Sequence, residues 1–281
     1  MVINSILGNR KVIKSMLNSK KVEIMSSRLE RWLFDKFGHM AIRIFGWTLT
    51  LPSRHTNRVI FSYLKNEKGK FLEVGCLYGT YSFALAAINS SNQLVSIDIN
   101  EDSLNVAKGI KESLKTENIS FICEDILNSG FPDVSFDVVV MGEVLEHITD
   151  DMRAIREINR ILRRGGSFVI SVPYSEIVEE HTTPVEAFRH KSGENLTDDS
   201  LFRGCYHVRS GYNEERITSL LENNGFNVVN ISKVCLPKIL LGKSLSGAIS
   251  VFFFPLIYPI SFITTLFSRN CIKIVLKAKK K

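Results

Sequence analysis

Residues 71–79, FLEVGCLYG, decide how this chain is read. The apolar run Phe71 to Val74 predicts a buried strand. Gly75 and Gly79, spaced E-x-G-x-x-x-G after Glu73, predict a tight turn that lets a ligand approach the backbone. Thr80 to Ala87 then predicts a helix whose first amides face that ligand, the arrangement of a nucleotide-cofactor loop. A nicotinamide-type loop would carry G-x-G-x-x-G, and this stretch does not.

The segments that follow support this reading by their order. Leu94 to Asp98 is a second apolar run ending in an acid, about 20 residues after the glycines, where a carboxylate meets ribose hydroxyls in a doubly wound fold. Ile119 to Cys123 predicts a third strand, followed by Glu124 and Asp125, and Phe136 to Met141 predicts a fourth. A helix is expected from about residue 150 to 162, a turn at Arg164-Gly165-Gly166, and a fifth strand over Ser167 to Val172. Alternating strands and helices imply a parallel sheet covered on both faces, an α/β fold.

With EVGCLYG, SIDIN (96–100), CEDIL (123–127), FDVVVMGEVLEHI (136–148), ILRRGGSFVISVP (161–173) and HVRSGYNEERITSLLENNGF (207–226) in this order, the chain resembles a class I S-adenosylmethionine-dependent methyltransferase of the type 11-like group. The resemblance covers roughly residues 70–235 and returns at the C-terminus. It implies a Rossmann-like doubly wound sheet of seven strands with an antiparallel last strand, and S-adenosylmethionine as cofactor. Position by position, it implies that Glu73, Gly75, Cys76 and Gly79 line the methionine end, Asp98 holds the ribose, Ile99 packs on the adenine, and Asp125 with Ile126 meets the adenine edge. Two residues depart from the pattern. Leu77 stands where a middle glycine is usual, so its side chain must turn away from the cofactor; Arg164 replaces a proline before the Gly-Gly turn.

The expected organisation is a helical cap over 1–68, a methyltransferase core over 69–235, an apolar insertion over 236–268, and a last core strand with a basic tail over 269–281. The cap holds an apolar cluster from Trp32 to Trp47 interspersed with basic residues, which we read as a lid. At 281 residues with 44% hydrophobic content, one large core is the natural count. Five cysteines without a C-x-x-C pair suggest reduced interior thiols of a cytoplasmic protein.

The net charge of +7 resides in the ends: residues 1–36 carry eight Lys or Arg against three acids, and 268–281 carry six against none. Stacking aromatics are not interleaved with these charges, so nucleic acid is disfavoured as a partner and an anionic membrane surface is preferred. Residues 244–268, SLSGAISVFFFPLIYPISFITTLFS, are uncharged and long enough to cross a bilayer, where about 20 residues suffice. A single crossing conflicts with strands on both sides belonging to one sheet, and Pro255 and Pro259 break the segment. We therefore expect it to leave and return on one side, near the strand carboxyl ends where ligands bind. It would make a peripheral membrane contact at the cytoplasmic face or wall a lipid-like acceptor.

Glu143, Glu146 and His147 form E-x-x-E-H; on a helix these positions share a face and could hold Mg²⁺, as in some quinone-ring and small-RNA ribose methyltransferases. The reading taken is support of the acceptor mouth or proton handling, with no metal ligand assigned. His207, before the penultimate helix, is a further candidate base, so Glu143, His147 and His207 are the catalytic candidates. The long polar stretch between Pro173 and Cys205, with His181 and His190, reads as a specificity loop. A small or lipid-linked acceptor methylated at oxygen is expected. The alternatives are a cation-assisted RNA ribose methyltransferase and a non-catalytic tethering module.

Overall fold

A computed structural model describes residues 51–178, 207–235, 268 and 270–281. The cluster from Trp32 to Trp47, the stretch containing His181, His190 and Cys205, and most of the 244–268 segment lie outside the described residues. The chain enters as helix α1 (Leu51–Leu64) and continues through β1 (Lys70–Val74), α2 (Thr80–Ile88), β2 (Gln93–Asp98), α3 (Glu101–Leu114) and β3 (Ile119–Cys123). Then follow β4 (Phe136–Gly142), α4 (Asp151–Ile161), β5 (Leu162–Pro173), α5 (Glu214–Asn223), β6 (Phe226–Cys235) and β7 (Cys271–Lys280).

The seven strands form one sheet in the order β3-β2-β1-β4-β5-β7-β6. The first five pair in parallel, and β7 lies antiparallel between β5 and β6. Period-two alternation divides the apolar side chains between two cores. Leu72, Val74, Val139 and Met141 join Ile155, Ile158 and Ile161 of α4 on one face. Phe71, Val138 and Val140 join Ile60 of α1, Leu85 of α2, and Leu104 and Ile110 of α3 on the other. A sheet buried on both faces requires the near-continuous apolar strands seen in β4 and β5.

Local signals set the element ends. The side chain of Asn100 caps α3 by accepting from Ser103 N, Asp150 caps α4 through Arg153 N, and Asn213 caps α5 through Arg216 N. The expected turn at Arg164-Gly165-Gly166 is accommodated inside β5. Leu162 pairs with Phe136 and Ser167 with Val138, so the residues between swell outward, with Gly165 at φ 72°.

One expectation is corrected here. Cys235 and Cys271 are partners across β6 and β7 and are joined by a disulfide, while Cys76 is a buried free thiol and Cys123 an exposed one. The bond closes a separation of 36 residues, so no short cysteine spacing announces it. The pair sits where β6 ends and β7 begins. β6 ends, and β7 begins, at the edge carrying the carboxyl ends of the parallel strands, and most of the apolar insertion expected between them lies outside the described residues. Among the described residues, no helix is long and apolar enough to cross a membrane.

Candidate active site

The loop after β1 is shaped by close contacts that only glycine allows. Gly75 has φ 66°, and a Cβ there would lie 2.2 Å from Cγ2 of Val144; Gly79 has φ 77°, and a Cβ would meet the Phe121 ring at 2.8 Å. Leu77, between them, also adopts a left-handed backbone at φ 47°, and it turns its side chain outward, 54% exposed. The loop is tied to the sheet by Cys76 N donating to Ile97 O (3.0 Å) and closed by Gly79 N donating to Cys76 O (2.7 Å).

Glu73 anchors the helix that follows. Its two carboxylate oxygens accept the amides of Tyr81 (3.1 Å) and Ser82 (2.9 Å), two of the donors that the start of α2 would otherwise leave without partners. The side chain is buried, and burial raises its pKa to about 7 against the lowering effect of these hydrogen bonds. Cys76 is 3% exposed and burial drives its thiol far up, so it contributes a small apolar wall rather than a thiolate.

Asp98 ends β2 at 8% exposure. One carboxylate oxygen accepts Leu77 N and the other Asn100 N, both at 2.8 Å. Each oxygen keeps a further lone pair, enough to accept a ribose hydroxyl. Ile99 beside it is 54% exposed, an apolar surface at the position expected to meet the adenine. Asp125 is exposed and accepts Leu127 N at 2.9 Å, capping the short 3₁₀ turn Ile126–Asn128, while Ile126 itself packs into the core. The structure thus links Glu73, Gly75, Cys76, Gly79 and Asp98 in one loop system, with Ile99 and Asp125 at neighbouring strand ends. These residues fit S-adenosylmethionine: a backbone cradle that a Cβ would fill, an acid for a diol and an exposed apolar face.

Across the crevice, the chain after β4 departs from the expected helix face. Only Leu145–His147 forms a helical turn, of the 3₁₀ type, and Glu143 precedes it at φ 59°. Its backbone amide donates to Ser171 O (3.0 Å), its carboxylate accepts Ser171 Oγ (2.8 Å), and its other oxygen pairs with the Lys273 ammonium. Glu143 is therefore directed to β5 and β7. His207 joins Glu146 and His147 instead: one ligand atom from each of the three lies within 4.8 Å of the others. The two imidazoles meet edge to face at 4.7 Å, and His207 Nε2 is 3.9 Å from Glu146 Oε1, an electrostatic contact longer than a hydrogen bond.

Hydrogen bonds from two adjacent residues staple this cluster. Val208 N donates to Glu146 O at 2.8 Å. The Arg209 guanidinium, 4% exposed, donates to Leu145 O (2.9 Å), Ile148 O (2.7 Å) and Thr149 O (3.0 Å). Arg209 also reaches the Tyr212 hydroxyl (3.0 Å), which donates to Asp151 (2.9 Å). Sequence reasoning assigned Arg209 no role; standing between Val208 and Ser210, it carries no spacing signal that marks it. Glu146 is fully buried, and neither carboxylate oxygen has a hydrogen-bond partner among the described residues. Burial, with the Glu143 carboxylate nearby, pushes its pKa up, opposed by Lys273 and Arg209. Such a group can take a proton from an acceptor or, ionised, bind a cation with the two imidazoles.

Two measurements check the loop. A leucine at φ 47° carries left-handed strain, so Leu77→Gly is expected to stabilise the protein by about 1 kcal/mol in urea unfolding. For Glu73, the folded pKa of about 7 exceeds the ordinary 4.5. Its contribution is thus fully present below the ordinary value and lost as pH rises through the folded one. The stability difference between wild type and Glu73→Gln should fall by roughly 3 kcal/mol over that window and level off above about pH 8. A difference that stays flat would mean the carboxyl is already ionised at the lower end.

A methyltransferase-domain family model matches residues 65–225. A demethylmenaquinone methyltransferase of Staphylococcus epidermidis is 36% identical over 112 residues, which are 39% of this chain and 46% of that protein. The chain therefore spans less than half the length of such curated relatives. Among solved structures, a sarcosine dimethylglycine methyltransferase of Galdieria sulphuraria superposes with a TM-score of 0.56 at 12% identity, covering 88% of this chain and 97% of that one. The [4+2]-cyclase SpnF superposes at 0.54 and 17% identity, covering 80% of each chain, which shows a shared fold and nothing of the reaction. With the family match spanning more than half of the sequence, the chain belongs to the methyltransferase-domain family.

Proposed function

We propose that the chain methylates a small or lipid-linked acceptor at a ring or chain hydroxyl. The observation that carries this reading is the contact between Gly75 and Val144, which sets the segment bearing Glu146 and His147 directly against the cofactor loop. When bound, S-adenosylmethionine supplies an electrophilic methyl group for in-line displacement. The chain's part is to hold the acceptor oxygen in line and to receive its proton, for which Glu146, His147 and His207 stand together at the mouth. The name of the staphylococcal relatives favours a quinone-type acceptor. The uncharged 244–268 segment and the basic ends favour an acceptor presented at a membrane surface, met from the cytoplasmic side. An intact glycine loop and Asp98 weigh against a non-catalytic tether.

Calorimetric titration tests the cofactor half. Asp98→Ala removes a charged hydrogen-bond acceptor and should weaken S-adenosylmethionine binding by about 10- to 100-fold. Unchanged affinity in the folded variant would place the ribose elsewhere. A quinol or phenol presented in anionic vesicles should then gain one methyl group in the presence of the cofactor. Methylation at a ring carbon would overturn the oxygen assignment.

A second reading is favoured by the buried Glu146 carboxylate, which meets no donor among the described residues: Glu146, His147 and His207 hold a divalent cation. Two imidazoles with one carboxylate suit Mn²⁺ or Zn²⁺ better than Mg²⁺. This is the version that an RNA ribose acceptor would require. Glu146→Gln should lower turnover by about 10²- to 10⁴-fold in either case. Loss of turnover after chelation, restored by Mn²⁺ in wild type alone, would select the cation; indifference to chelation would select direct proton transfer.

A further inference from the structure

The disulfide lies at the strand edge that carries the site, and its surroundings connect it to both halves of the acceptor mouth. Cys271 opens β7. Its next neighbour, Ile272, accepts Tyr174 N at 2.9 Å, and the residue after that, Lys273, is the cation that holds the Glu143 carboxylate. Tyr174 in turn pairs with Tyr212 in an isolated bridge, and Tyr212 bonds Arg209, whose guanidinium grips the carbonyls around Glu146 and His147. Two short routes thus run from the bonded cysteines: one through Lys273 to Glu143, the other through Tyr174 and Tyr212 to the staple.

Cys271 and Ile272 precede the regular pairing of β7 with β5, which begins at Lys273. The register shifts between Val234 and Cys235, so the regular pairing of β6 with β7 breaks just before the disulfide. Lys273 pairs with Pro173 of β5 and Val234 of β6, and beyond it Ile274, Val275 and Leu276 are fully buried and held on both sides by β5 and β6. Breaking the bond therefore frees the strand's opening residues and leaves the rest of the sheet in place. Both cysteines are half-buried, within reach of a small reductant.

We propose that Cys235–Cys271 is a thiol–disulfide switch: opened by a dithiol, it releases Lys273 from Glu143 and loosens the loop carrying Glu146 and His147. A thiolate of the dithiol attacks one cysteine sulfur and breaks the S–S bond, forming a mixed disulfide; its second thiolate then displaces the cysteine. The dithiol leaves as a cyclic disulfide, oxidised by two electrons, and the two electrons and two protons end on Cys235 and Cys271 as thiols. Lys273 is a positioning residue in this scheme, acting on the site through Glu143.

Hydrogen exchange of the full-length protein, read by mass spectrometry without any acceptor, tests the switch apart from the proposed reaction. Protein equilibrated with oxidised glutathione should show the 235–271 linkage, and dithiothreitol should speed amide exchange over 142–148 and 207–212 by about tenfold while β7 from residue 274 stays protected. Cys235→Ser should exchange like the reduced form and ignore dithiothreitol. Lys273→Met should keep the disulfide yet exchange fast over 142–148. Two free thiols at 235 and 271 under oxidising conditions would overturn the proposal. So would exchange over 142–148 and 207–212 that is indifferent to reduction, or a Lys273→Met variant that exchanges like oxidised wild type.

Discussion

A single guanidinium holds the two halves of the acceptor mouth together. Arg209 is almost fully buried; its guanidinium donates to the carbonyls of Leu145, Ile148 and Thr149, and the Asp151 carboxylate lies 3.7 Å from it. Charge-assisted bonds of this kind are roughly twice as strong as neutral ones, and a planar fork can reach several carbonyls at once. A lysine could not span them. Because Arg209 grips the loop after β4 while Val208 bonds Glu146, His207 has a fixed place opposite His147. The Tyr212 hydroxyl adds a further tie between the two segments by donating to Asp151.

The same loop shows how charge is kept apart in a small space. Glu143 and Glu146 are three residues apart, and two carboxylates sharing one site would raise each other's pKa. Here Lys273 and Ser171 draw Glu143 to the sheet edge, at the expense of a left-handed backbone at a non-glycine residue. Glu146 stays beside the imidazoles, buried and with no hydrogen-bond partner for its carboxylate among the described residues. The strand that supplies Lys273 is the last in the chain, so the electrostatics of the site depend on the C-terminal strand sliding into place between β5 and β6.

Most of the fold was legible in the sequence because the strands are buried on both faces and so read as apolar runs: Ile119–Cys123 matches its expected bounds, and β4 runs one residue past the expected Phe136 to Met141. The cofactor loop was legible for the same local reason, since Gly75 and Gly79 are required by contacts with Val144 and Phe121. What could not be read depends on distant partners. The direction of Glu143 is set by a lysine 130 residues away, and the pairing of Cys235 with Cys271 by a strand register that exists only once β7 is inserted. E-x-x-E-H spacing on a helix suggested a shared face, but the segment makes only one 3₁₀ turn, and the face is shared with His207 instead.

The strand order gives these observations a common cause. Reading β3-β2-β1-β4-β5-β7-β6, the direction of winding reverses between β1 and β4, and an open sheet forms its crevice at that reversal. Every cofactor residue sits on the β1–β3 side, at the loops that hold Glu73, Asp98 and Asp125. Glu146, His147, His207 and Arg209 sit on the other, after β4 or beyond β5. The Gly75 contact with Val144 is the seam between the two. A side chain at position 75 would therefore collide with Val144 and push the Glu146 loop outward. The antiparallel β7 adds what a wholly parallel sheet could not: a strand that starts, rather than ends, at the crevice edge, and so brings Cys271 and Lys273 to it.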